Sequence, residues 1–121
     1  MNIAVFGTRT LGDFKPVDDF VMSLPTDDTL LLIDGKLGVS NYAKNKASFQ
    51  MIPIRTYPAN YKRDGIAADF IRNHRIIDDA EEVFVFFNKI DEVLRDIVDY
   101  CTKVGKPCTV TEVRGELVTE L

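Results

Sequence analysis

The sequence predicts a single doubly wound α/β domain over residues 1–121, with a mainly parallel sheet of about five strands and helices on both faces. Three observations lead there. Short apolar runs recur with almost no polar alternation, as in strands covered on both faces. The segments between them place apolar residues every third or fourth position, as in helices packed by one face. A chain of 121 residues that is 45% hydrophobic can close one core but not two ordinary ones.

Each element has its own signal. Ile3 to Phe6 is the first apolar run, and the loop Gly7 to Asp13 follows it. Pro16 to Leu24 reads as a helix, with proline tolerated in its first turn and Val17, Phe20, Val21 and Leu24 facing inward. Leu30 to Ile33 is the second strand, and Val39, Tyr42, Ala43 and Ala47 mark the helix after it. Met51 to Ile54 is the third strand, which Pro53 assigns to a position near a sheet edge. Asp64 to Asp79 reads as one helix, with Ile66, Ala67, Phe70, Ile71, His74 and Ile77 on its apolar face. Val83 to Phe87 is the fourth strand. The helix after it carries Ile90, Val93, Leu94, Ile97, Val98, Cys101 and Val104 on one stripe, acids Asp91 and Glu92 in its first turn, and Gly105 then Pro107 at its end. Cys108 to Val113 closes the pattern, and Gly115 to Leu121 reads as a tail or an extra edge strand. Right-handed crossovers then set Ile3–Phe6, Leu30–Ile33 and Val83–Phe87 side by side as central parallel strands.

Composition excludes several functions. No apolar run approaches the ~20 residues that span a bilayer, and no basic segment with a cleavage site precedes the first strand, so cytoplasmic residence without membrane contact is the expectation. The net charge of −4 argues against broad nucleic-acid binding, whose affinity comes from cations neutralising phosphates. Charge is unevenly spread: residues 78–121 carry eleven acids against five Lys/Arg, residues 1–77 eight against ten. Arg55, Lys62, Arg63, Arg72 and Arg75 form a basic span that contains only Asp64 and Asp69 as counter-charges. Cys101 and Cys108 read as buried or partly buried free thiols rather than a disulfide framework. No metal and no cofactor are expected, because one histidine, two thiols and acids scattered along helix faces lack metal-ligand spacing.

In open α/β sheets the ligand crevice lies beyond the carboxyl ends of the strands, near the point where strand order reverses. The loops at those ends hold Gly7-Thr8-Arg9-Thr10, Asp34-Gly35-Lys36-Leu37-Gly38, Tyr57 to Arg63, and Asn88-Lys89. Two familiar phosphate motifs fail there. Gly7 and Gly12 have P-loop spacing, but Asp13-Phe14 stands where Lys and Ser/Thr are required. The first turn also lacks the GxGxxG fingerprint of dinucleotide binding.

GTR at Gly7 to Arg9, DGKLGVSNYA at Asp34 to Ala43, and YPANYKRDGIAADFIRNHRIIDDAEEVFVFFN at Tyr57 to Asn88 resemble the YspA-like proteins of the SLOG superfamily over most of the chain. Those are small Rossmann-like proteins that bind nucleotide ligands, related to cytokinin-activating phosphoribohydrolases and to bacterial DNA-processing proteins. The resemblance implies ligand contacts from Gly7, Thr8 and Arg9 after the first strand and from Gly35 and Gly38 after the second. Asn60, Tyr61, Lys62, Gly65, Arg72 and Asn73 match the aromatic-basic loop and the arginine-asparagine pair that follows it, the most specific part of the match. The chain also departs from the pattern. Asp34 stands where the family usually has glycine and Ser40 where it usually has an acid, and Asn88-Lys89-Ile90-Asp91 replaces a glycine-rich phosphate cradle. Glu92 lies near the position of the catalytic glutamate of the phosphoribohydrolases, and a first-turn glutamate also serves the helix dipole.

Most candidates have a structural alternative. Arg9 pairs with a ligand phosphate or closes its loop onto Asp13. Arg72 contacts ligand or is a solvated charge on the polar face of its helix, and Asn73 ties a loop to that helix. His74 fits a satisfied core position better than a general base. Tyr57 and Tyr61 stack on a base, or Tyr61 covers the core beneath its loop, and Lys62 with Arg63 raises the local potential or is merely solvated. The resulting reading is a binding protein for a nucleotide or nucleotide-derived small molecule, with Gly7, Thr8, Arg9, Gly35, Gly38, Asn60, Tyr61, Lys62, Arg63, Arg72 and Asn73 as its site. The alternatives are an N-glycosidic hydrolase, with Asp34 or Glu92 as its carboxylate, and an interaction module without a ligand. A homo-oligomer stays open.

Overall fold

The structure, a computed structural model, describes residues 1–113. Gly115 to Leu121 lie outside the described residues. Five strands, β1 (Asn2–Gly7), β2 (Thr29–Ile33), β3 (Ile54–Tyr57), β4 (Glu82–Phe87) and β5 (Cys108–Glu112), form one parallel sheet in the order β3-β2-β1-β4-β5. The helices are α1 (Lys15–Met22), α2 (Gly38–Phe49), α3 (Tyr61–Asp64), α4 (Ala68–Asp79) and α5 (Glu92–Val104), with a 3₁₀ turn at Gly65–Ala67. The expected central trio β2-β1-β4 is present and parallel. Among the described residues no helix is long and apolar enough to cross a membrane.

The pleat divides each central strand between two cores. Ile3 and Val5 of β1, Leu30 and Leu32 of β2 and Phe86 of β4 pack with Val17 and Val21 of α1 and with Val39, Ala43 and Ala47 of α2. Ala4, Phe6, Leu31, Val83 and Val85 face the other way, onto Ile76 and Ile77 of α4 and Leu94, Ile97 and Cys101 of α5. One crossover hand, kept while the direction of travel reverses after β3, puts the later helices on the opposite face. Both cysteines are free; Cys101 is buried and Cys108 partly so, and the Cys108 hydrogen bond together with burial pushes the Cys101 thiol far above its ordinary range.

Two elements differ from the sequence reading. The third strand begins at Ile54, not Met51. Met51 adopts φ 62°, a left-handed residue that ends α2, and the Ile52 N–H donates back to the Ala47 carbonyl (2.9 Å). Pro53 has no N–H for the ladder but accepts from Leu30 (2.8 Å), so pairing starts just after it, on an edge strand as expected. The helix expected over Asp64 to Asp79 is broken at Gly65, whose φ of 60° and ψ of −136° suit only glycine. Ile66 is fully exposed, Ile71 is 38% exposed, and α4 turns Ala68, Arg72, Asn73, Ile76 and Ile77 inward instead.

His74 is half-buried between α4 and α5. Its ring stacks on Tyr100 (centroids 3.8 Å apart, planes 5° apart), and Nε2 lies 2.8 Å from an Asp96 carboxylate oxygen. It is a satisfied structural histidine, as its place in the apolar pattern indicated. α5 ends as read, with Gly105 at φ 72° beyond its last turn.

The end of β1 meets the start of α2 with no room for side chains. A Cβ on Gly7 would lie 2.5 Å from the Phe86 carbonyl oxygen and 2.5 Å from the Val39 side chain. Gly7→Ala is expected to lower unfolding free energy by about 1–3 kcal/mol, the usual cost of forcing extra volume into a packed core. Urea denaturation with an unchanged m-value checks this, and full parental stability would contradict the contact.

Candidate functional site

Beyond the carboxyl ends of β1 and β2 lies a cleft of about 430 Å³, within the range of small-molecule sites. Phe6, Gly7, Thr8 and Arg9 line it from β1 and the following loop, and Ile33, Asp34 and Gly35 from β2. Ser40 enters from the first turn of α2, Tyr61 from α3, and Asp69, Arg72 and Asn73 from α4. Asp91 precedes α5, whose Val93, Leu94 and Ile97 complete an apolar wall. The cleft sits beside β1, where the strand order reverses, as open α/β sheets require.

Of the eleven residues expected at the site, Gly7, Thr8, Arg9, Gly35, Tyr61, Arg72 and Asn73 line this cleft. Gly38, Asn60, Lys62 and Arg63 do not. Gly38, at φ 78°, has a packing role: a Cβ there would lie 2.5 Å from both Arg9 Cα and the Thr8 carbonyl oxygen. Asn60 caps α3 by accepting from the Arg63 N–H (3.0 Å). Arg63 is held by a two-pronged contact to Asp64, both distances 2.9 Å, and Lys62 is exposed on the same short helix.

The first loop is also more committed than its composition implied. The Thr8 N–H donates to the Phe86 carbonyl (3.2 Å), and the Thr8 carbonyl accepts from the Val39 N–H (3.1 Å). Its amide is therefore engaged with β4. Asn88 of the fourth loop donates to the Thr10 carbonyl (2.7 Å), so that loop braces the first one. Arg9 is exposed at the rim and makes no ion pair among the described residues. Asp13, the partner weighed for it, accepts from the Lys15 N–H instead (2.9 Å).

Arg72 corrects a specific reading. It is buried, 8% exposed, rather than solvated on a polar face, and Asn73 beside it is 2% exposed. Arg72 Nε donates to Asn73 Oδ1 (2.7 Å) and Nη2 to Asp69 Oδ1 (3.1 Å). The Tyr61 hydroxyl donates to that same Asp69 oxygen (2.7 Å), which pushes the phenol above its ordinary range. A buried guanidinium needs such partners, and these fix one wall of the cleft. Tyr57 is corrected as well. It lies inside β3, buried, with its hydroxyl donating to Asp79 (2.7 Å) and accepting from Arg55 (3.0 Å), so it does not stack on a ligand.

The carboxylates differ in what they already do. Asp91 caps α5 by accepting from the Leu94 N–H (2.8 Å), and Asp69 is shared between Tyr61 and Arg72. Glu92 stands in the first turn of α5 and does not line the cleft. Asp34 lines it, and its carboxylate has no partner among the described residues. Ser40 is 3% exposed, and its hydroxyl is the one buried side-chain polar atom without a hydrogen bond among the described residues. A buried polar group left unpaired costs about 1–3 kcal/mol.

Ser40, Asp69, Asp91 and the α5 wall were not read as site residues. Asp69 and Asp91 lie far in sequence from the glycine loops, Ser40 stands two residues beyond Gly38 but on a helix whose facing is set by packing, and only the crossover to the opposite face brings α5 over the β1 end. No family model matches the chain, and no curated protein matches it.

Replacing Arg72 by leucine strands the buried Asn73 carbonyl oxygen. Asp69 is rehydrated, since 42% of its side chain is exposed. The expected loss is about 1–3 kcal/mol of unfolding free energy, that of one buried unsatisfied group. Chemical denaturation of Arg72→Leu beside Asp69→Asn checks it, the second variant losing less.

Proposed function

We propose that the chain binds a nucleotide or nucleotide-derived small molecule in this cleft, as the SLOG resemblance implies. The observation that carries the reading is the meeting, at a strand-order reversal, of an exposed arginine, a helix start and an apolar wall in one cleft of about 430 Å³. Phe6, Ile33, Val93, Leu94 and Ile97 suit the low-polarity faces of a base or sugar. Arg9, without an ion pair among the described residues, supplies a cation for the anionic part. Asp34 offers an acceptor to sugar hydroxyls, and Tyr61, half-exposed with its hydroxyl tethered, forms a flat lip at the mouth.

Catalysis is the second reading, and Asp34 is the observation that favours it. N-glycosidic cleavage requires a carboxylate that stabilises positive charge on the sugar or activates water. With Glu92 off the cleft, Asp34 is the group with the freedom for that role. Its exposure to solvent favours recognition over turnover.

Thermal-shift measurements with nucleoside monophosphates, cyclic dinucleotides and ADP-ribose are expected to single out one class. A ligand at one hundred times its dissociation constant adds about 2.7 kcal/mol, several degrees for a domain of this size. No stabilisation by any of them would overturn the reading. Incubation of the stabilising ligand followed by chromatography is expected to return it intact; release of free base that Asp34→Asn abolishes would instead establish the hydrolase.

A further inference from the structure

The start of α2 has the features of an anion seat. Its N-cap residue, Leu37, offers no side-chain hydrogen bond, and its first turn contains no acid. Of the N–H groups that open a helix, which have no partner within it, Val39 is taken by the Thr8 carbonyl. The helix runs for 12 residues, long enough for the aligned peptide dipoles to favour negative charge at this end. A helix start alone is common. Here the Ser40 hydroxyl, 3% exposed and without a hydrogen bond among the described residues, lines the cleft from that same first turn.

The third feature is a nearby cation. Gly38 packs directly on Arg9 Cα, so the Arg9 side chain springs from the backbone touching the helix start. The carboxylates around the cleft limit what fits. Asp69 is occupied by Arg72 and Tyr61 and Asp91 by the Leu94 N–H, while Asp34 keeps an open acceptor that repels a bare anion and welcomes hydroxyls.

From these observations we infer that the α2 start, the Ser40 hydroxyl and Arg9 form a seat for a phosphate monoester carried on a sugar. The Ser40 hydroxyl donates to one phosphate oxygen, the N–H groups of the first turn to another, and Arg9 closes over the exposed side. The phosphate sits at the second crossover, where a serine hydroxyl and a helix start substitute for glycine amides. This rests on the nucleotide-cleft reading, of which it specifies the anionic end.

The test uses the full chain and probes that carry no base. Titration of ¹⁵N-labelled protein with ribose 5-phosphate, ribose and inorganic phosphate is expected to move the Gly38 and Ser40 amide signals with ribose 5-phosphate most strongly and not with ribose. Ser40→Ala is expected to weaken ribose 5-phosphate about tenfold, the loss of one hydrogen bond to a charged group. Ser40→Asp, which puts a carboxylate in the seat, is expected to abolish the response. Should the aspartate variant fail to fold, the alanine variant decides alone. Unmoved Gly38 and Ser40 signals, or ribose 5-phosphate affinity unchanged in Ser40→Ala, would overturn the seat. Nucleoside monophosphates separate the two claims: if they bind the cleft while Ser40 stays silent, the seat is wrong and the cleft reading stands. If they fail to bind while ribose 5-phosphate moves the amide signal of residue 40 in wild type and not in Ser40→Asp, the seat stands and the nucleotide reading falls.

Discussion

The arrangement of the site depends on one close approach, the end of β1 against the start of α2. Thr8 bridges β4 and α2, donating to the Phe86 carbonyl and accepting from the Val39 N–H. Gly7 and Gly38 stand where any side chain would overlap backbone atoms, so the two segments touch directly. Several properties follow from that contact. The helix start is held at the strand end, and Leu37 before it is extended without capping it. The loop residue that leaves the contact is Arg9, which places a cation beside an uncapped helix start.

The opposite wall is set by a different balance. α4 must cover the sheet with Ile76 and Ile77, yet its first half runs along a polar cleft. The chain meets both demands by turning Arg72 and Asn73 inward as mutual partners, with Asp69 neutralising the outer edge of the guanidinium. The helix is then pinned against α5 by His74, stacked on Tyr100 and bonded to Asp96, while Tyr100 donates to Asp78 (2.8 Å). These contacts hold the α5 residues Val93, Leu94 and Ile97 at the cleft without using any of the groups that face it.

Most of the fold was legible because its signals are local. Unbroken apolar runs marked the strands and the stripe from Ile90 to Val104 marked α5, whose acidic start and glycine end were also readable. The misplaced third strand has a local cause of another kind. Met51 takes a left-handed conformation usually given to glycine, so its apolar side chain, 83% exposed, mimicked the first residue of a strand. The helix at Asp64 was read through Gly65 because glycine is tolerated in helices, and Ile66 then appeared to lie on the apolar face although it projects into solvent. The site was legible in part. Loops that follow strands could be identified from order, so Gly7, Thr8, Arg9 and Gly35 were found, whereas Ser40 and Asp69 sit on helices whose facing depends on packing.

By itself, then, the sequence determined the alternation of strands and helices, the central position of the three most apolar strands and the loops available at their carboxyl ends, because each follows from nearest-neighbour chemistry and from one crossover hand. Only the tertiary structure decided which groups in those loops remain free. The Thr8 amide is consumed by β4, Arg63 by Asp64 and Arg72 by Asn73 and Asp69, while Arg9, Asp34 and the Ser40 hydroxyl have no side-chain partner among the described residues. Whether a polar group is spent or available is a matter of which partner lies within about 3 Å of it. Partners distant in sequence reach that range only when the elements pack.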